Sequence, residues 1–159
     1  MKILAFGAHP DDIEIFMYGF LAECKKRGDE IFMCVATDGA LGTVSQKTDL
    51  KKIRNQETTM ALEKLGIPYF FDFPDGCLRS QENAQYKISE YVRDLKPDLI
   101  LTHDPNDYHP DHRALSFFLR NAASFMFPLL YADTLMGINF KPDYYVEITN
   151  SFDEKIKSI

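Results

Sequence analysis

The sequence has little of what would place it in a membrane, on nucleic acid or outside a reducing compartment. No window holds the about eighteen uninterrupted apolar residues that a membrane span needs, so no membrane partner is expected. The first residues carry one lysine and run straight into a strand-like pattern without a small-residue cleavage site, which does not read as a secretory leader. Positive charge is not in excess: 18 Lys and Arg stand against 24 Asp and Glu, for a net charge of −6. With no basic patch interleaved with aromatics, no nucleic-acid partner is expected. Cysteine is limited to Cys24, Cys34 and Cys77, scattered and without a CxxC. That set fits reduced core residues of a cytoplasmic protein better than a disulfide frame or a zinc knuckle. Glycine is short where a dinucleotide fold would need it. Residues 7–12 hold one glycine rather than G-x-G-x-x-G, and the acids that follow would repel a phosphate. Internal repeats and low-complexity stretches are absent.

What is present suits one compact domain: 159 residues, 45% of them apolar, enough for a sizeable core. Short apolar runs alternate with helical patterns. Strands are expected at 2–8, 30–36, 69–73 and 98–103, with two shorter candidates at 129–132 and 144–148. Helices are expected at 12–27, closed by Gly28, at 49–65, closed by Gly66, and at 81–95, stopped by Pro97. A further helix should run from about 110 to 125, and a helical pattern begins again over 152–159. On the second helix, Leu50, Ile53, Met60, Ala61 and Leu65 recur on one face and should point inward. Phe117, Phe118, Phe125 and Phe127 read as core. Alternating strands and helices imply an α/β fold, a Rossmann-like three-layer domain with a mostly parallel sheet and helices on both faces. The strands lack clean polar alternation, as sheets covered on both sides do. In such sheets ligands bind beyond the carboxyl ends of the strands, so the chemistry should follow the strands.

Two clusters stand there. After the first strand comes His9-Pro10-Asp11-Asp12-Ile13-Glu14. After the fourth comes His103-Asp104-Pro105-Asn106-Asp107-Tyr108-His109-Pro110-Asp111-His112. Together they hold all four histidines of the chain. Either cluster alone could be helix capping or a polar turn. Side by side at one mouth, their carboxylates would repel each other unless a cation compensates. Two imidazoles and a carboxylate form a common divalent-metal set. Spacing alone does not say which of these residues bind metal and which move protons.

The same residues carry a resemblance. AHPDDIE (8–14) and HPDH (109–112) are similar to the two signatures of the PIG-L/LmbE-like N-acetylglucosaminyl deacetylases. Between and after them, ATDGALG (36–42) resembles that family's TDG loop and IRNQETTMALEKLGI (53–67) its R-x-x-E helix. FPDG (73–76) resembles its Asp-Gly turn, and FKPDYYVEIT (140–149) a segment near its C-terminal end. The resemblance implies a metal-dependent hydrolase that removes an acetyl group from a small-molecule N-acetylated sugar or glycoside. It implies His9, Asp12 and His112 as metal ligands, with Zn2+ as the metal; Fe2+ also uses two histidines and a carboxylate. It implies Asp11 as general base toward the attacking water. His109 would stabilise the oxyanion or protonate the leaving amine as an imidazolium, held charged and oriented by Asp111. Arg54 and Asp75 would contact the sugar. Glu14 is open to pairing with Arg54 or capping the helix, His103 reads as a satisfied structural residue, and Tyr108 is placed to overhang the pocket. Members of that family are usually longer, so residues 1–159 read as a single LmbE-like domain short at its C-terminus. A homo-oligomer is compatible with the sequence. The competing readings are a metal hydrolase of another small N-acyl substrate and a non-catalytic metal- or sugar-binding module. A module of that kind would need neither Asp11 nor His109.

Overall fold

The computed structural model describes residues 1–42, 49–135 and 140–159. Five strands form one all-parallel sheet: β1 (Lys2–Gly7), β2 (Glu30–Thr37), β3 (Tyr69–Phe73), β4 (Leu99–His103) and β5 (Leu129–Ala132). The strand order is β3-β2-β1-β4-β5. The chain moves outward from β1 to β3, then returns to the other side of β1 to lay down β4. The order therefore reverses between β1 and β4, which opens a crevice at their carboxyl ends.

The apolar runs are strands because both faces of the sheet are covered. Along β1, Leu4 and Phe6 face a core built from Ala84, Ile88 and Val92 of α3 (Ala84–Leu95) and from Leu115, Phe118 and Leu119 of α4 (Pro110–Ala123). Ile3 and Ala5 face the opposite core, with Leu21 and Cys24 of α1 (Tyr18–Arg27) and with Leu62 and Leu65 beyond α2 (Leu50–Ala61). Each large apolar side chain withdrawn this fully contributes about 1.5–3 kcal/mol. A last helix, α5 (Thr149–Ser158), packs on α1, where Lys26 Nζ donates to Ser151 Oγ at 2.7 Å. Among the described residues no helix is long and apolar enough to cross a membrane.

Four expectations change. The helix expected from 12 begins as a wide π turn, Ile13–Met17, and becomes regular α-helix only at Tyr18. On α2, Met60 is exposed while Thr58 and the following Leu62 and Leu65 are buried, because the helix ends at Ala61 and the chain then turns inward. Residues 144–148 form no strand: Tyr144 and Tyr145 lie in solvent on an irregular lead into α5, and apolar letters alone do not supply a pairing partner. Of Phe117, Phe118, Phe125 and Phe127, Phe118 is buried and Phe127 packs against the same core, whereas Phe117 and Phe125 are exposed. Cys24 and Cys34 are buried free thiols, and Cys77 is an exposed one.

Candidate metal centre

The carboxyl end of β1 is fixed from both sides. Thr37 on β2 donates its backbone N–H and its hydroxyl to the Ala8 carbonyl, each at 2.8 Å, and Thr102 on β4 donates to the Phe6 carbonyl at 3.0 Å. Gly7 then lets the chain fold back on itself, since a Cβ there would lie 3.0 Å from Asp12 Cβ and 3.2 Å from Ile13 Cγ1. The turn is completed by Asp11 at φ +102°, a conformation that non-glycine residues seldom hold. His9 and Asp12 point inward as a result, and Asp11 outward. From the other side of the crevice α4 begins with His109 as its N-cap and Pro110 in its first turn, which sets His112 one turn inside.

The three expected ligands meet. His9 Nδ1 lies 3.2 Å from His112 Nε2. Asp12 presents Oδ1 to His112 Nε2 at 3.3 Å and Oδ2 to His9 Nδ1 at 3.4 Å. The edge of a tetrahedron with ligand bonds of about 2.0–2.1 Å is about 3.3–3.4 Å, near the separation of the two histidine nitrogens, and Asp12 turns one oxygen toward each of them. The donor nitrogen of His109 clusters with those of His9 and His112, and its ring centroid lies 4.5 Å from that of His9.

Charge around the cluster points the same way. Burial opposes a proton on His9, but Asp111, Asp12 and Asp75 outweigh it and raise the imidazole to about 11. Asp75 Oδ1 is 3.2 Å and Asp111 Oδ2 3.4 Å from His9 Nε2. Burial likewise opposes ionisation of Asp12, yet His103, His112 and His9 hold its carboxyl well below the usual range. Three carboxylates around one buried imidazole call for positive charge, which a proton on His9 or a divalent cation supplies.

The remaining expected residues take distinct places. The Asp11 side chain is 56% exposed, and its Oδ2 accepts from Arg54 Nη2 at 2.8 Å. Its crowded setting and the Asp12 charge push its carboxyl up, against the pull of Arg54 and His9. The fork of Arg54 also donates to the Pro10 carbonyl and, at 3.1 Å, to that of Gly39. A Cβ on Gly39 would come within 2.8 Å of Arg54 Nη1 and 2.9 Å of Pro10, so only glycine at φ +60° leaves room for this grip. Arg54, expected to contact sugar, thus holds the Asp11 turn. Asp75 faces His9 on one oxygen and accepts the Leu41 N–H at 3.0 Å on the other.

Asp111 does not hold His109 through its carboxylate. Its Oδ2 accepts from Gly76 N–H at 2.7 Å and its Oδ1 from Leu78 N–H at 3.0 Å, because the first turn of α4 aims the side chain at the 76–78 turn. The link to His109 runs through the backbone instead: Asp111 N–H donates to His109 Nδ1 at 3.3 Å. With Nδ1 accepting, a neutral His109 keeps its proton on Nε2. Partial burial and the charges on His9 and His112 lower the pKa of His109, against Asp111, which favours a neutral donor over the expected imidazolium. Glu14 neither pairs with Arg54 nor caps. It is buried, its Oε2 has no partner among the described residues, and burial with the nearby Asp11 and Asp12 pushes it up to about 7. The Tyr108 ring sits 6.0 Å from that of His109 and 6.1 Å from that of His112, half in solvent over the crevice.

Two residues carry more than the sequence suggested. Asp107 is 1% exposed; Oδ2 lies 3.1 Å from His112 Nδ1, and Oδ1 accepts the His109 N–H at 2.8 Å. A carboxylate behind an imidazole fixes its ring, and the only signal for it was one more aspartate in an acidic loop. His103, fully buried, stacks on His112 with centroids 3.7 Å apart; its Nε2 receives the Ala8 N–H at 3.0 Å and lies 3.1 Å from Asp12 Oδ2. It packs inside the fold as a structural residue, and what it supports is the candidate metal centre.

Comparison with known proteins agrees with this geometry. The diacetylchitobiose deacetylase of Thermococcus kodakarensis is 26% identical over 180 residues, which cover 99% of this chain and 67% of that protein. The 1D-myo-inositol 2-acetamido-2-deoxy-alpha-D-glucopyranoside deacetylase of Corynebacterium glutamicum is 28% identical over 141 residues, 70% of this chain and 49% of that one. This chain therefore spans two thirds of the first relative and about half of the second. The solved N,N'-diacetylchitobiose deacetylase of Pyrococcus horikoshii superposes with a TM-score of 0.86 at 25% identity, over 99% of this chain and 67% of that one. Residues 4–123 match the PIG-L family, described as GlcNAc-PI de-N-acetylase. A match that runs from within β1 to the last turn of α4, and so takes in both histidine motifs, makes this chain a member of the PIG-L family.

Proposed function

We propose that this chain hydrolyses the acetamide of a small N-acetylglucosamine-type sugar or glycoside, with a divalent metal, zinc first, held by His9, Asp12 and His112. The observation that carries this reading is the meeting of those three residues at 3.2–3.4 Å with the Asp11 carboxylate, held by Arg54, exposed at the mouth. A divalent cation held by this set supplies Lewis acidity and a water acidic enough to attack an amide near neutral pH. Asp11 accepts the proton of the attacking water, and Arg54 keeps its carboxylate in place. His109, with its proton on Nε2, donates a hydrogen bond to the oxyanion that develops on the acetyl oxygen, and the proton that Asp11 took from the water passes to the departing amine as the C–N bond breaks. Asp107 and His103 hold the His112 ring, and Asp75 offers an acceptor for a sugar hydroxyl. The names of the two relatives, each a deacetylase of an N-acetylated sugar compound, support the substrate class. Three free thiols support a reducing compartment, the cytoplasm.

Acetate release from N,N'-diacetylchitobiose tests the reading. The zinc-loaded chain should release acetate, and Asp11→Asn should keep its metal while turnover falls about 10²–10⁴-fold. Equal turnover in the two proteins would remove Asp11 as the base.

A further inference from the structure

Behind the loop that carries Asp107 and His109, a cleft of about 560 Å³ opens between the turn at 78–80, the start of α3 and the outer face of α4. Three of the chain's six arginines, Arg79, Arg113 and Arg120, line it, and among the described residues no carboxylate does. That is unusual in a chain with net charge −6. Among the described residues none of these three arginines has a carboxylate partner.

The cleft is built rather than incidental. Arg113, Phe117 and Arg120 recur at i, i+4 and i+7, so they share one face of α4. Arg113 Nη1 is anchored by the Asp107 and Tyr108 carbonyls, each at 2.6 Å. Arg120 lies over the Phe117 ring, 5.9 Å from its centroid, while that ring stays 48% exposed. Arg79 follows Leu78, whose N–H is fixed by Asp111. A second observation is independent of charge: Ser116 lines the same cleft, and its hydroxyl is buried and has no hydrogen-bond partner among the described residues.

We propose that this cleft binds a small phosphate monoester, its phosphate among Arg79, Arg113 and Arg120 and its ring against Phe117. Guanidinium forks match phosphate oxygens and are lightly hydrated, which suits them to this task over ammonium groups. The volume is that of a small-molecule site, and an exposed aromatic face beside cations accommodates a ring. Because Arg113 holds the Asp107 and Tyr108 carbonyls, a bound anion also touches the loop that positions His109 and His112. The site does not depend on the reaction proposed above.

Calorimetric titration of the zinc-loaded chain with phenyl phosphate tests the proposal, with inorganic phosphate as the ringless comparison. Arg79→Gln and Arg120→Gln should each weaken phenyl phosphate by about tenfold or more, and matched melting curves should show both variants folded. Phe117→Ala should weaken phenyl phosphate and leave inorganic phosphate unchanged. Arg93→Gln, on α3 outside the cleft, should change neither. The proposal is overturned if no saturable heat is seen, or if binding persists undiminished in Arg79→Gln and Arg120→Gln, which would put the anion at the metal centre. Equal weakening by Arg93→Gln would also overturn it, as diffuse electrostatics. If phosphatidic acid vesicles bind through these arginines while phenyl phosphate does not, the occupant is a lipid headgroup and the small-molecule site is wrong.

Discussion

His9-Pro10-Asp11 and His109-Pro110-Asp111 spell the same three residues at the mouth between β1 and β4, and the backbone gives them opposite roles. In the first, the strand turns at once: Asp11 sits at φ +102°, and the helix opens with the wide turn of Ile13–Met17. The histidine goes in, toward Asp12 and His112, and the aspartate goes out into water. In the second, a loop separates strand from helix, and His109 at φ −81° and ψ 130° caps a regular α-helix. Here the aspartate goes in, bound to Gly76 and Leu78, and the histidine stays at the rim. The residue after each motif, Asp12 or His112, is the one that turns to the proposed metal position in both. What a His-Pro-Asp does is thus set by the geometry of the turn that follows it, and wide π turns and strained φ values gather at such sites.

The sharpest way to break the comparison is to remove the two histidines of the second motif in turn. His112→Ala should weaken zinc binding by more than the roughly 10–100-fold that an outer partner is worth, as read by competition with a chelator. His109→Ala should keep most of the metal and instead lose turnover, by about 10²–10⁴-fold. If both lose metal equally, His109 is a ligand and the two motifs are more alike than described.

The next effect concerns the aspartates. Asp111→Ala leaves the Gly76 and Leu78 N–H groups without their acceptor and should cost about 1–3 kcal/mol of stability. Asp11→Gly should go the other way. It relieves a positive φ and gives up only a largely exposed ion pair, so the melting curve should show a gain of about 0.5–1 kcal/mol as activity is lost. Equal destabilisation by both would contradict the opposite placements of these residues.

The last effect is one of pH. His9 is raised to about 11, so a proton occupies it throughout the neutral range and must leave before its nitrogen can bind metal. Zinc affinity should therefore rise with pH, by about tenfold per unit for each proton displaced, when measured between pH 6 and 8. His112, also raised, adds to the slope at the acid end. A flat profile would mean that His9 is not a ligand.

Much of this was legible in the sequence because short-range patterns carry it. Five strand positions, the caps at Gly28 and Pro110 and the two motif clusters follow from periodicity and punctuation. The misreadings share a cause. Met60 fits the helical period of α2, but the helix ends just beyond it and the core is reached by Leu62 and Leu65. Residues 144–148 have the composition of a strand without a neighbour to pair with. Asp107 looked like any acid in a polar loop, and only burial against His112 marks it out. Arg54 was expected to contact sugar; that it grips Asp11, Pro10 and Gly39 depends on a loop and a helix that are distant in sequence.

By itself the sequence determined the alternation of strands and helices, and with it a parallel sheet whose chemistry lies at the carboxyl ends. It also determined the residue types at that mouth, since these depend on local propensity and on which side chains can bind a cation. Tertiary structure alone decided which donors meet, which aspartate faces water and which faces a backbone turn, and that three arginines share one acid-free cleft. The physical reason is that these are relations between segments up to a hundred residues apart. They are fixed by the reversal of strand order beside β1 and by the two different turns that follow identical letters, and neither is encoded in any single stretch of chain.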